Sequence, residues 1–314
     1  MLTPRSGSLR GGNWVTARRV AAHLRSLGHV VRMRSRYAGQ DCDALVALHA
    51  EKSAPGIERF HRRNRGRALV VVLAGTDLYG RHALRAAARR SLTLADRLVV
   101  LHPGAALDLP PAVRGKARVI LQSAVAPRHR PRKRRDAFEV AVVGHLRAVK
   151  DPFRAAFAVR RLPRPSRLRV VHLGGEAEPG MAALARAKMR KNPRYRWLGE
   201  RPHAEAMKLI ARSRLLVLSS RNEGGANVIS EALVAGVPVI SSAHRAATSL
   251  LGADYPGLFP VGDTAALASR LARAERDARF YARLLRCCAR IAYRLTPARE
   301  RLAWRRLLSE LGAG

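Results

Sequence analysis

Glu223 and Glu231 stand eight positions apart in SSRNEGGANVISEALVAGVPVISS (219–242), and Gly224–Gly225 directly follow the first of them. The apolar run 214–220 predicts a buried strand leading into this stretch, and 237–242 predicts the next one. Between them, 227–236 carries Val228, Leu233 and Val234 at helical spacing and stops at Gly236. Paired glycines at a strand-to-helix corner let the backbone approach a ligand closely. The N–H groups of the first helical turn, near Asn227 and Val228, then face an anion such as a diphosphate. Glu231, about one turn into the helix, is placed beside that anion, to accept hydrogen bonds from a ribose diol. Glu223, on the loop, is placed to reach a sugar on the far phosphate. Such an arrangement suits a nucleotide-sugar.

Other groups that could do chemistry also follow apolar runs. VGHLRAVKDP (143–152) puts His145, Arg147 and Lys150 just past a strand end, where open α/β sheets bind ligands. A departing diphosphate gathers negative charge as its glycosidic bond breaks, and cations there stabilise it. The loop 7–13 opens a helix at Trp14, and Gly11, Gly12 and Asn13 at its start either cradle a phosphate or form a plain turn. LHAEKS (48–53) places His49 and Lys52 after one strand, and AGTDLYG (74–80) places Thr76 and Asp77 after another. His49 reads equally as a structural histidine. Arg201 follows the predicted strand 195–200, one more cation just past a strand end.

The elements that position these groups alternate as strand and helix, which favours parallel sheets covered on both faces. A helix is expected over 14–28, then strands over 29–35, 43–49, 67–75, 97–103 and 117–123, with helices near 55–65 and 82–95. A second series has strands at 138–146, 167–175, 195–200, 214–220 and 237–242. Helices near 152–162, 180–191, 202–212 and 227–235 alternate with them, and everything from Asp263 onward reads as helical. The organisation expected is an N-terminal acceptor-side Rossmann-like domain (1–126), a linker (127–137), a C-terminal nucleotide-sugar domain (138–296), and a last helix (297–314) returning to the first domain. No internal repeat occurs. Only Met1–Leu2 precede Thr3–Pro4 and the glycine loop, so a full first strand is missing, and the native start is expected several residues upstream.

Composition limits the alternatives. With 314 residues and 47% hydrophobic content, the chain has room for two cores and is not disordered. No apolar run approaches the ~20 residues of a membrane span, and no secretory h-region is visible. Three cysteines, Cys42, Cys287 and Cys288, form no C-x-x-C pair, which fits a reduced, cytoplasmic interior. Net charge is +38, nearly all of it arginine. The arginines are spread over helix faces, and the one dense run (128–135) lies in the linker, so most read as solvated charge that also favours anionic substrates. A basic nucleic-acid-binding protein is the non-enzyme alternative, but no aromatic RNA platform and no zinc spacing supports specific nucleic-acid recognition. Asp41-Cys42-Asp43 matches a D-x-D metal pattern yet precedes its strand instead of ending one, so it reads as a turn and no metal is expected. No Walker or G-x-G-x-x-G loop is present, which argues against ATPase and NAD chemistry. No cofactor is called for.

Together the glycine loop, the GHLRAVK segment, the E-G-G…E segment and the G-V-P-V strand resemble the retaining glycosyltransferases of the large family 4 group. That resemblance implies a GT-B fold: two Rossmann-like, doubly wound parallel-sheet domains facing a cleft, with C-terminal helices crossing back. It implies a nucleotide diphosphate held by Lys150, the amides of Asn227–Val228 and Glu231, with Glu223 on the donor sugar. One departure is His145, where the family usually has arginine; either Arg147 takes that role or the leaving group is held with less charge. The blocks GGNWVTARR, VALHAEKS, LAGTDLYG, ADRLVVLHP, ARVILQSAVAP, VGHLRAVKDP, NPRYRWLGE and SRNEGGANVISEAL are similar to the selenosugar-synthase group of this family. This similarity implies transfer of the sugar of a UDP-sugar (UDP-GlcNAc or UDP-glucose) to the selenium of selenophosphate, with functional links to selenophosphate synthetase and selenoneine synthase. A family 4 transferase with a hydroxyl acceptor is the nearest alternative. The residues themselves give no reason to prefer UDP over GDP or ADP.

Overall fold

Apolar runs that have both faces covered become parallel strands, and in the computed structural model they do so in two separate sheets. The structure describes residues 1–4, 12–75, 77–79, 84–127, 129 and 131–312, and the account below is of those residues. One unit comprises Met1–Ser123, Glu223–Gly225 and Pro297–Gly314; the other comprises Ala124–Asn222 and Ala226–Thr296.

In the first unit the sheet runs β1 (Ala44–Leu48), β2 (Ala68–Val72), β3 (Arg97–Val100), β4 (Ala117–Val119), all parallel. The helices α1 (Gly12–Ser26), α2 (Ala54–Arg63), α3 (Ala86–Leu94), α4 (Pro103–Leu107) and α5 (Pro111–Arg114) connect them. Side chains alternate across the pleat. Leu45, Ala47, Leu69, Val71, Leu98 and Val100 share a core with Ile57 and Phe60 of α2 and Leu92 of α3. Val46, Leu48, Val70, Val72 and Val99 instead meet Ala17, Val20 and Leu24 of α1 and Trp304, Leu307 and Leu308 of the C-terminal helix (Pro297–Ser309).

Met1–Thr3 extends this sheet beyond β1. Leu2 bridges in parallel to Ala47 on one side and to Arg34 on the other. Its N–H donates to the Val46 carbonyl at 2.8 Å, and the Leu48 N–H donates to the Leu2 carbonyl at 2.9 Å. Chain order therefore reverses between Met1–Thr3 and β1. The strand expected over 29–35 is corrected to this single bridge. Its alternation is present, with Val31 and Met33 packed inward and Val30 exposed, but a three-residue neighbour gives it almost no ladder to join.

The C-terminal helix is tied to α1 by a buried carboxylate. Glu300 accepts from Arg19 Nε at 3.2 Å and from the Ser123 N–H at 2.7 Å, with His23 Nε2 at 3.3 Å. Burial alone would push this carboxyl up. The His23 hydrogen bond, the Arg19 charge and the Ser123 hydrogen bonds outweigh that and hold it below the ordinary glutamate value.

In the second unit β5 (Phe138–Val143), β6 (Leu168–Leu173), β7 (Tyr195–Trp197), β8 (Leu215–Leu218), β9 (Val239–Ser242) and β10 (Leu258–Phe259) alternate with α6 (Arg154–Arg160), α7 (Met181–Arg190), α8 (His203–Arg212), α9 (Asn227–Val234) and α10 (Arg245–Leu251). The helices α11 (Thr264–Arg276) and α12 (Ala278–Ala292) follow. The sheet order is β10-β9-β8-β5-β6-β7, all parallel. Chain direction across the sheet reverses between β5 and β8, the point where doubly wound sheets take their ligands. The sequence reading missed α10 and β10, both short and without a strong apolar period. No helix among the described residues is long and apolar enough to cross a membrane.

Candidate functional site

The loop after β5 and the loop after β8 flank the switch point of the second unit, and hydrogen bonds stitch them together. Ser219 Oγ donates to the Asp151 carbonyl at 2.9 Å, and the Arg221 N–H donates to the Val149 carbonyl at 2.8 Å. Asp151 closes the loop in the left-handed region at φ 45°, and its carboxylate accepts from Arg154 Nε at 2.8 Å. Lys150 ends the 3₁₀ turn Ala148–Lys150 and is therefore carried by backbone anchored at both ends.

His145 lies one residue past the switch-point glycine. Its Nδ1 accepts from the Gly175 N–H at 3.2 Å, so the ring proton sits on Nε2 and can be donated. Behind it, His172 on β6 is fully buried, and burial pushes it down to about 4, so it is neutral. It donates from Nε2 to the Gly144 carbonyl at 3.0 Å, and its Nδ1 accepts from the Tyr195 hydroxyl at 2.9 Å. The pair fixes the backbone from which His145 projects. Arg147, by contrast, is half-exposed and sits 3.8 Å from Glu178, a pair worth little in water.

The helix α9 starts at Asn227 behind Ala226, which lies at φ 40° and offers no side-chain cap. Asn227 and Val228 thus begin a helix of eight residues directly after the switch-point loop. Glu231 projects from this helix, and its Oε1 meets His203 Nε2 at 2.8 Å. The hydrogen bond to Glu231, together with its charge, raises the His203 pKa against a smaller burial effect. His203 opens α8 and escaped the sequence reading, because one histidine at a helix start carries no periodic signal. Arg201, two residues earlier, is half-exposed and lies 3.9 Å from Glu205.

Glu223, Gly224 and Gly225 belong to the first unit. Gly224 runs against the backbone of Ala74 and Gly75 with no room for a Cβ on either glycine, and Gly225 lies against Gln122 and Leu101. The expectation that these glycines free space for a ligand is corrected here: protein fills that space.

The remaining sequence candidates are in the first unit as well. Gly11 and Thr76 lie outside the described residues. Gly12 and Asn13 start α1, and a Cβ on Gly12 would meet nothing. His49 follows β1 at φ 69°, is 1% exposed, and accepts the Lys52 N–H on Nδ1 at 3.3 Å. Its Nδ1 lies 3.8 Å from Asp77 Oδ2, but burial outweighs that attraction and lowers its pKa, so it is neutral. Asp77 is completely buried. Its oxygens accept from the N–H groups of Ala50 at 2.9 Å, Ala74 at 3.0 Å and Gly75 at 2.8 Å. The expectation that Asp77 faces the acceptor is corrected accordingly: its carboxylate is consumed by backbone and holds two loops in place. Asp41, of the D-x-D pattern, pairs with Arg67 at the surface.

Residues 127–286 match the family model described as Glycosyl transferases group 1. Three solved structures share the architecture. Anabaena HepE in complex with UDP matches with a TM-score of 0.76 at 16% identity, over 98% of this chain and 99% of that one. A glycosyltransferase from Rickettsia africae matches with a TM-score of 0.76 at 10% identity, over 99% and 97%. The sucrose-phosphate synthase of Thermosynechococcus elongatus matches with a TM-score of 0.71 at 18% identity, over 96% and 94%. The two parallel-sheet α/β units constitute the GT-B fold.

Proposed function

Because the chain belongs to the group 1 glycosyl transferases, we propose that it transfers the hexose of a UDP-sugar to the selenium of selenophosphate. One observation carries the donor half: the two loops bearing His145–Lys150 and leading to Glu231 follow β5 and β8, the strands on either side of the second unit's switch point. UDP as the nucleotide is supported by its presence in the HepE complex, a protein of the same fold. Glu231 takes the ribose diol, Arg201 lies on the base side, and Glu223 is assigned to the sugar. The bond from the anomeric carbon to the UDP oxygen breaks while a bond to selenium forms. Charge growing on the departing diphosphate meets Lys150, the Nε2 proton of His145 and the first amides of α9.

Selenium as nucleophile is supported by the sequence blocks named above and by the acceptor chemistry. A soft, anionic selenium needs little deprotonation, and Lys52 on a loop of the first unit supplies a cation to hold its phosphoryl oxygens. Reactions that supply selenophosphate and consume a selenosugar would flank this step. The test is incubation with UDP-GlcNAc or UDP-glucose, with and without selenophosphate, following UDP release and product mass. The expected result is selenophosphate-dependent UDP release and the mass of a hexose bonded to selenium, either as the Se-phosphoryl product of the transfer or, after water cleaves the Se–P bond, as the selenosugar with one inorganic phosphate. Turnover with a hydroxyl acceptor alone would reduce the reading to a general glycosyltransferase. No UDP release, with salt-sensitive DNA binding instead, would leave the nucleic-acid alternative.

A further inference from the structure

The first unit has a switch point of its own, between Met1–Thr3 and β1, and a cavity of about 560 Å³ lies at its carboxyl edge. Among the described residues, Pro4, Ser35, Arg36 and Lys52 line it. Pro4 follows Thr3, Ser35 and Arg36 follow the bridge at Arg34, and Lys52 follows β1. Three neighbouring parallel chain segments therefore deliver their next residues to one hollow, where open α/β sheets bind ligands. Two of those residues are cations. Glu51, the acid next to Lys52, goes to Arg85 at 3.5 Å, and no acid among the described residues pairs with Arg36 or Lys52.

The backbone under Lys52 is held unusually tightly for a surface loop. Its N–H donates to the strained His49, Asp77 holds the Ala50 N–H, Ser91 Oγ donates to the Ala50 carbonyl at 2.8 Å, and Ser53 Oγ donates to the Leu48 carbonyl at 2.6 Å. A non-glycine residue at φ 69° persists only where its surroundings over-determine it, and here they fix the place from which Lys52 extends. In the sequence, Lys52 pairs with His49 after one apolar run and the strand pattern ends at 35, so Arg36 carries no signal of its own.

We infer that Arg36, Lys52 and the Ser35 hydroxyl form an oxyanion site for a phosphate-type dianion in the first unit. This rests on the proposed transferase reading for its role as the acceptor site, though not for the binding itself. A guanidinium, an ammonium and a hydroxyl around one cavity supply charge-assisted donors, and none of the described lining residues is a carboxylate. The dianion is either a free phosphate-like nucleophile or the phosphate carried by a sugar acceptor; both present the same oxygens.

The test uses the full chain and Arg36→Gln and Lys52→Gln, both at exposed positions. Calorimetry with inorganic thiophosphate, with UDP present, reads the site without turnover. Each variant is expected to weaken thiophosphate binding about tenfold, with Arg36→Lys recovering part of it and the UDP affinity unchanged. Selenophosphate and hexose 6-phosphate are then compared in the UDP-release assay, and the KM of the one that is used should rise in both variants. Selenophosphate turnover with unaltered thiophosphate binding and KM in both variants would overturn the site and spare the transferase reading. Charge-dependent thiophosphate binding without selenophosphate turnover would uphold the site and sink the selenium reading.

Discussion

The two switch points are built to different standards. In the second unit, β5 has six residues and β8 four, and their following loops are cross-linked by Ser219 and Arg221, the partners being carbonyls of the segment that carries Lys150. In the first unit the central position is taken by three residues, and the cavity edge is lined by side chains that nothing described neutralises. A departing diphosphate needs donors at fixed points as charge develops, which favours the stitched arrangement. A small multiply charged acceptor needs mainly attraction, which long cations supply from a backbone fixed at Lys52. The contrast teaches that loop-to-loop cross-links gather at the switch point that bears Lys150, whereas the first unit's edge relies on cations carried by a single anchored loop.

The comparison is most exposed at Lys150. If the stitched edge carries the leaving group, Lys150→Ala lowers kcat by about 10²- to 10³-fold while folding is unaffected. A kcat within a few-fold of the parent protein would remove the assigned difference between the edges.

The next effect concerns stability rather than rate. Glu300 is held below its usual value, so its contribution is present at neutral pH and is lost as pH falls through that lowered value. Glu300→Ala leaves Arg19 and the Ser123 amide without their buried partner and should cost about 3 kcal/mol in denaturant unfolding. An unchanged midpoint would show that the first unit does not depend on this tie.

The smallest effect sharpens the donor edge. Glu231→Ala should raise the donor KM about tenfold, because charge-assisted bonds to the ribose are lost. The His203–Glu231 attraction is complete below the ordinary histidine value and fades as pH rises through the raised one. Protonated His203 competes with the ribose for Glu231, so donor KM should fall by a factor of about five or less as pH rises through that step. His203→Ala should abolish the step, and a step that persisted in this variant would assign it elsewhere.

These residues also mark where sequence reading works. Buried strands such as β5 and β8 announce themselves as unbroken apolar runs, and loops that follow them inherit their position from the sheet. The positions of Lys150, after β5, and of Glu231, in the helix that follows β8, were legible for that reason. His203 was not, because its meaning depends on α8 and α9 being neighbours, a fact of topology rather than of local pattern. Asp77 misled because a carboxylate after a strand looks the same in sequence whether solvent or three backbone N–H groups surround it. Arg36 was hidden among many arginines until the bridge at Arg34 showed which edge it leaves. The run 29–35 has genuine strand periodicity, but pairing needs a partner of matching length.

The order of synthesis follows from where the last helix ends up. Residues 124–222 and 226–296 make up the second unit, interrupted by only three residues, so it can assemble while translation continues. The first unit, though made first, is incomplete until Trp304, Leu307 and Leu308 arrive to cover Val20, Leu24 and Val70. Arg19 and Glu300 are 281 residues apart, a separation that places their meeting late in assembly. A nascent chain stalled before Pro297 would display a sheet face covered by α1 alone, leaving apolar surface of the kind that holdase chaperones bind.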